Sequence, residues 1–295
     1  MIEIEASGED CICDFTFDFC WQHQGTRLDP HQKVGGSSYK DMVDGLKRGE
    51  TVLIRGDVGG RLGSSLGVDL VKLGGEGGPI EGTGYIIVDG NVGRRMGISM
   101  LRGAVYVSGE VASPVGNVVE VETDKTGYKK YVSITEVLER GGPILQPNHL
   151  DEGDLILADG LVRETLAARN VADKMIRVKG DAGMSAGILM RSGSLGVRGN
   201  AGRNTGVLMR GGRLVVRGRC EDFTGTEMRG GEIFVQGDAG GYICSRMKGG
   251  VIFARDGKPV PPARAHTLKG DEAGHVARML GINNIQAMMY RRFSL

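Results

Sequence analysis

The chain has 295 residues with 37 basic and 36 acidic side chains, a formal net charge of +1, so no global field concentrates nucleic acid or an anionic membrane. Its 51 glycines follow no three-residue period, which excludes collagen. Charged residues at 25% and hydrophobic ones at 40% are ordinary globular usage, which excludes a disordered linker.

Met1-Ile2-Glu3-Ile4-Glu5 is acidic and alternating, without the basic start and apolar block of a signal peptide. No apolar run approaches the roughly eighteen residues that cross a bilayer, and the expectation is a soluble cytoplasmic protein. Cys11, Cys13 and Cys20, with His23 and His31, are soft ligands that zinc accepts. Their spacing lacks paired C-x-x-C knuckles, however, and Phe15, Phe17 and Phe19 alternate as in a half-buried strand. Buried reduced thiols are the expectation there. Ser38 to Gly49 reads as a short helix stopped by Gly49.

From there the sequence is periodic. GDVGGRLGSSLG begins at Gly56, GNVGRRMGISMLRGAVYVS at Gly90, and a weaker copy at Gly109 places Gly116 in phase. The step from Gly56 to Gly90 is one period plus an insertion around Gly74, Gly75, Gly77 and Gly78. Residues 117–179 interrupt the pattern; Ser133 to Arg140 within them reads as a helix opened by a capping box. Four copies of 19 residues then follow from Gly180, Gly199, Gly218 and Gly237. Methionine recurs at Met190, Met209, Met228 and Met247, and the eighth position is Gly187, Gly206, Gly225 and then Cys244. Seven coils are counted in all. After Pro259, Pro261 and Pro262, a helix beginning at Asp271 places Val276, Met279 and Leu280 on one face, and a second apolar set is Ile285, Met288 and Met289.

Each period ends in a short β-rich run, such as Ile86-Ile87-Val88, Leu214-Val215-Val216 or Ile233-Phe234-Val235. Glycines at fixed offsets between the runs supply positive φ and close backbone approach. The expected fold is all-β: a right-handed parallel β-helix with coils of about 19 residues, plus short capping helices. Residues 1–50 form an N-terminal cap, 51–256 the β-helix with its insertion at 117–179, and 257–295 a helical tail. One coil buries too few aliphatic groups to offset the entropy of ordering it, so coils must stack and their ends must be covered.

The chemistry-bearing candidates mostly reduce to coil geometry. Gly183-Met184-Ser185-Ala186-Gly187 matches a nucleophile elbow, but the same slot holds Asn204 and Arg95 in other copies. Cys220 occupies the small-residue position of Ala201 and Ala239, and Cys244 replaces a turn glycine. The methionine column offers thioether ligands, yet a stacked internal ladder explains it as well. None of the five histidines sits in a metal or triad motif. Charge is more informative: Arg191, Arg210, Arg229 and Lys248 each follow a column methionine, so stacking puts four cations about 4.8 Å apart. Arg198, Arg217 and Arg255 form a second file broken by Gln236. The first file is either screened by solvent and paired internally, with Glu227 and Glu232 within reach, or it docks a neighbouring subunit or an acidic ligand.

The repeat G-x-x-G-x-x-x-G-x-x-M-x-x-G resembles the β-helical domain shared by the C-terminal region of glutamate synthase large subunits and the β-helical subunit of formylmethanofuran dehydrogenase. The stretch Gly116-Asn117-Val118-Val119-Glu120-Val121-Glu122 and the segment Ser133-Ile134-Thr135-Glu136 favour the dehydrogenase subunit. The resemblance implies a scaffold subunit, with no catalytic residue, metal or cofactor of its own, in a complex that reduces carbon dioxide with methanofuran to formylmethanofuran in methanogenesis. It implies partners that carry the chemistry: an amidohydrolase subunit with a dinuclear metal site, tungsten or molybdenum pterin subunits, and electron-transfer subunits with [4Fe-4S] clusters. Methanofuran's glutamyl carboxylates are a further client for the cation file. Three alternatives are the corresponding β-helical subunit of a bacterial formyltransferase/hydrolase complex, a glutamate synthase accessory protein, and a self-sufficient β-helix enzyme such as a polysaccharide lyase; the last needs clustered acidic calcium ligands that do not recur here.

Overall fold

A computed structural model describes residues 1–6, 8, 31, 33–34, 36–70 and 75–295. The readings placed on Cys11, Cys13, Phe15, Phe17, Phe19, Cys20, His23 and Gly74 lie outside the described residues. The chain divides into two compact units, Met1–Leu145 and Gln146–Leu295, each a parallel β-solenoid stack.

In the first unit, β1 (Ile2–Glu5) is followed by the short pair β2 (Lys33–Val34) and β3 (Ser37–Ser38). Helix α1 (Tyr39–Lys47) begins at Ser38, which shares a reciprocal capping box with Asp41, and the chain turns out of it at Gly49 with φ +82°. Strands β4 (Val52–Arg55), β5 (Tyr85–Asp89) and β6 (Ala104–Val107) then stack in parallel on β1. Inward side chains Ile4, Ile54 and Val88 fall in one line across the sheet, and Met42 and Leu46 of α1 join the same core.

The coil that starts at Gly109 is cut short, as the break in the repeat at residue 117 implies. Its first half is in phase, because Val111 bridges to Val92 in parallel. Within the interval read as an interruption, β7 (Val118–Val121) is followed by β8 (Lys129–Ser133), which pairs antiparallel with both β6 and β7. An antiparallel strand on the last coil ends the parallel growth of the sheet. Helix α2 (Ile134–Arg140) follows, capped by Ser133, whose hydroxyl accepts from the Thr135 and Glu136 amides. Here Glu136 turns away from the expected box and instead accepts from the Gly103 amide at 3.2 Å.

The second unit opens with β9 (His149–Asp151) hairpinned against β10 (Asp154–Leu157). Strands β11 (Met175–Val178), β12 (Ser194–Val197), β13 (Arg213–Val216), β14 (Arg229–Val235) and β15 (Gly249–Ala254) add to β10 in parallel. The interval read as an insertion at 117–179 therefore contains a coil of this stack between Gly160 and Lys179. Its signature positions are Arg163, Ala167 and Asn170 where later copies hold glycine, glycine and methionine. Asn170 is buried, and its side-chain amide donates to Ala172 O and Ser192 O at 2.9 Å each. Arg163, 2% exposed, donates to Asp159 at 2.8 Å. Burial alone would lift the Asp159 carboxyl, but the Arg163 hydrogen bond and charge hold it below the usual carboxylate range. With Ile2–Glu5, Asp154–Leu157 and Met175–Val178 in the stacks, the coils of the two units together number more than the seven counted from the repeat.

Opposite the strands, each coil turns through an arch in which alternate residues are left-handed: Ser185, Gly187 and Leu189, then Asn204, Gly206 and Leu208, then Phe223, Gly225 and Glu227. These residues donate alternately to the coil after and the coil before. Ser185 N bonds Arg203 O at 2.8 Å, Gly187 N bonds Leu166 O at 2.7 Å, and Leu189 N bonds Val207 O at 3.2 Å. The backbone is thereby satisfied between coils around the arch as well as along the sheet. The middle residue must also be small, since a Cβ on Gly206 would lie 2.3 Å from Ile233 Cδ1 of the next coil.

The chain finishes on the outer face of the sheet. Strand β16 (Arg264–Thr267) precedes α3 (Gly270–Leu280), α4 (Asn284–Ala287) and β17 (Arg291–Ser294), and β17 pairs antiparallel with β15. Helix α3 buries Val276 and Leu280 against Phe234 and Phe253, whose rings stack at 5.0 Å. The second apolar set does not reach this core: Ile285, Met288 and Met289 are exposed, and Ala287 and Tyr290 are buried in their place.

Candidate docking surface

The methionine column is buried, with Met190, Met209 and Met228 inaccessible to solvent. Each thioether methyl packs where a glycine of the next coil lacks a side chain: a Cβ on Gly231 would lie 2.7 Å from Met209 Cε. Because the methionine points inward, the residue after it points out. Arg191, Arg210, Arg229 and Lys248 are all exposed, and Arg210, Arg229 and Lys248 each donate an amide hydrogen to the methionine carbonyl of the preceding coil. After Arg210 and Arg229 the next residue is glycine, since a Cβ on Gly211 would sit 2.3 Å from Arg191 O and one on Gly230 2.6 Å from Arg210 O; Ser192 follows Arg191, whose coil stacks on the divergent one before it. Repeat chemistry thus locks the cations into a file whose spacing is the inter-coil step.

Their side chains have no hydrogen-bonded or ion-paired partner among the described residues. Glu227 instead pairs with Arg246 at 3.3 Å, and Glu232 pairs with Arg213 at 3.1 Å and His275 at 2.9 Å. Glu232 lies directly opposite Arg213 in the β13–β14 register, which decides its partner. Partial burial, then repulsion from Arg191 and Arg229, pushes the Arg210 guanidinium below its ordinary value. Arg210 is the member of the file on which partial burial and neighbouring like charge act together.

The second file is divided. Arg255 lies against the Tyr290 ring, 5.6 Å from its centroid, and Tyr290 donates its hydroxyl to Gln236 O at 2.9 Å. Arg217 donates to Leu280 O at the end of α3, and Arg198 faces a groove beside that helix.

The other candidates are structural. Ser185 is buried inside the arch, out of reach of a substrate. Cys220 bridges Ala201 in parallel, and both it and Cys244 are buried, which pushes each thiol up to about 12. No group of three histidine, cysteine or carboxylate side chains able to hold a metal occurs among the described residues. Among them, too, no helix is long and apolar enough to cross a membrane.

The fold and its surface define a stacked-coil β-solenoid carrying an ordered column of cations. No protein-family profile matches the chain. An uncharacterized protein of Methanothermobacter thermautotrophicus is 46% identical over 199 residues, covering 66% of this chain and 65% of that protein. The alignment thus spans just under two thirds of the relative's length. Among solved structures, the X-ray structure of the formyltransferase/hydrolase complex from Methylorubrum extorquens, in complex with methylofuran, contains a chain that is 19% identical. It overlaps 87% of this chain and 71% of its own length at a TM-score of 0.34. An overlap that loose assigns no activity.

Proposed function

We propose that this chain is a non-catalytic scaffold subunit of a formylmethanofuran dehydrogenase complex. The observation that carries it is the file Arg191, Arg210, Arg229 and Lys248: four exposed cations, unpaired among the described residues, at an interval set by backbone contacts. Like charges held that close favour an acidic surface brought by another molecule, and a rigid template of fixed spacing suits register between large partners. The repeat resemblance supplies the identity of the complex. In this reading carbon dioxide is reduced at a tungsten or molybdenum pterin, and formate is condensed with methanofuran at an amidohydrolase subunit. Those centres and the [4Fe-4S] clusters belong to partner chains. The solenoid holds the catalytic subunits in place.

Native purification of the chain, with mass spectrometry of bound proteins and metal analysis, tests this. Co-purification of an amidohydrolase together with tungsten or molybdenum is expected, as is loss of those partners from the Arg210→Glu/Arg229→Glu variant. Formyltransferase and amidohydrolase chains without either metal would replace the proposal with a formyltransferase/hydrolase complex. Glutaminase and flavin subunits would replace it with a glutamate synthase assembly.

A further inference from the structure

On the outer face of the second unit's sheet, side chains align across strands in register. One outward row runs Ile156, Arg177, Gly196, Val215, Phe234 and Phe253. Helix α3 covers the Phe234 and Phe253 end and stops at Gly281. Over β11 to β13 the face is open, and a groove of about 910 Å³ runs there, with the buried Ile156 of β10 at one margin and Arg278 and Met279 of α3 in its wall.

Two features set this groove apart from bare sheet surface. The first is Gly196. Unlike the arch glycines it has no positive φ, and a Cβ there would meet only Ile176 O at 3.8 Å. Neither backbone nor packing asks for glycine, so its effect is to leave the floor open. The second is charge. The lining holds Arg177, Lys179, Arg198, Arg213, Arg217 and Arg278, and no carboxylate. Asp154 engages Arg177 at 3.1 Å and Glu232 engages Arg213 at 3.1 Å, while Arg217 donates to Leu280 O. Lys179, Arg198 and Arg278 are exposed and have no ion pair among the described residues. Between them the floor is aliphatic and thioether: Met175, Val215 and Met279, with Ile156 at its margin.

The occupant must therefore be anionic at intervals and small and apolar between. A compact phosphate is a poor fit, because the strand amides beneath are spent on the parallel ladder and supply no backbone cradle. Single-stranded nucleic acid stacks its bases on aromatic side chains, and the lining has none. An extended polypeptide fits. Its side chains alternate at about 6.6 Å, and three strand steps of about 4.8 Å admit four or five residues. We propose that this groove receives an extended acidic segment of a partner protein, its carboxylates on Lys179, Arg198 and Arg278 and its small apolar side chains over Gly196. The proposal rests on the scaffold reading for the existence of a partner, but it is a separate site from the Arg210 file.

The test uses the full chain alone and an acetylated, amidated heptapeptide alternating glutamate with valine, titrated by calorimetry at low salt. Saturable binding is expected. It should weaken about tenfold or more in Arg198→Glu/Arg278→Glu, weaken comparably in Gly196→Met, which fills the floor, and vanish when glutamine replaces glutamate. Arg210→Glu should bind as the unaltered chain does. The proposal is overturned by no saturable binding, by equal binding of the glutamine peptide or of octathymidylate, or by binding that ignores both groove variants or falls equally with Arg210→Glu. Because no other subunit is present, failure here leaves the co-purification result standing, and failure there leaves this one standing.

Discussion

Replacing Gly206 by alanine probes whether stacked arches or the sheet alone define the coil. At φ +70° an L side chain costs about 1 kcal/mol. The new Cβ would lie 2.3 Å from Ile233 Cδ1 and 3.4 Å from its Cγ1, a degree of overpacking that costs about 1–3 kcal/mol. Together these give a destabilisation of about 2–4 kcal/mol, concentrated in the steric part. Ala167 and Cys244 occupy the same arch position at φ +57° and +58°, so the backbone tolerates a Cβ where packing allows. Ile233→Val removes the offending methyl and alone costs about 0.5–1.5 kcal/mol. In the double variant the clash is relieved, and the two changes should be sub-additive by about 1–2 kcal/mol. Thermal unfolding combined with hydrogen exchange in β13 and β14 reads this within the second unit. Strict additivity, or a Gly206→Ala cost below about 0.5 kcal/mol, would refute the proposed contact between arch and strand.

Met209→Ala should cost about 2–5 kcal/mol, because the methyl that fills the space over Gly231 is lost, whereas Met209→Leu should cost under about 1.5 kcal/mol by the same denaturation assay. Cys220 and Cys244 should resist iodoacetamide in the native chain at pH 8 and react on unfolding; native labelling would contradict their burial. With both thiols pushed up to about 12, their contribution to stability is complete below the unfolded value near pH 9 and declines toward pH 12 as only the unfolded chain ionises. Arg210→Gln should raise the melting temperature of the isolated chain slightly at low salt, by about 0.5 kcal/mol equivalent, and leave it unchanged at high salt, where repulsion from Arg191 and Arg229 is screened. A gain independent of salt would point to some other cause.

The four copies from Gly180 are legible because their marks are backbone necessities. Gly206 answers Ile233, Gly211 answers Arg191 O, and Gly231 answers Met209, so any coil stacked on a like coil must repeat them. The coil from Gly160 escapes such a search, since Arg163, Ala167 and Asn170 take the marked positions and satisfy themselves through Asp159, Ala172 O and Ser192 O. The break at residue 117 is legible, but the antiparallel closure by β8 is not, because nothing in Lys129 to Ser133 distinguishes a strand that folds back on β6 from one that would stack in parallel. The cation file follows from the period. Its isolation does not, because both nearby carboxylates find partners through cross-strand register and loop geometry. Gly196 is the subtlest case: in a chain of 51 glycines nothing in the letters separates one that opens a floor from those that turn a corner.

The inter-coil contacts around Gly206 and Met209 are copies of those one period earlier and later, so the second unit behaves like a tape marked at equal divisions. Tandem duplication of residues 199–217 would leave each hydrogen bond with an equivalent donor and acceptor and move whatever sits beyond it by one division, about 4.8 Å. Selection can thus tune the gap between two anchored bodies in whole increments, without redesigning either contact.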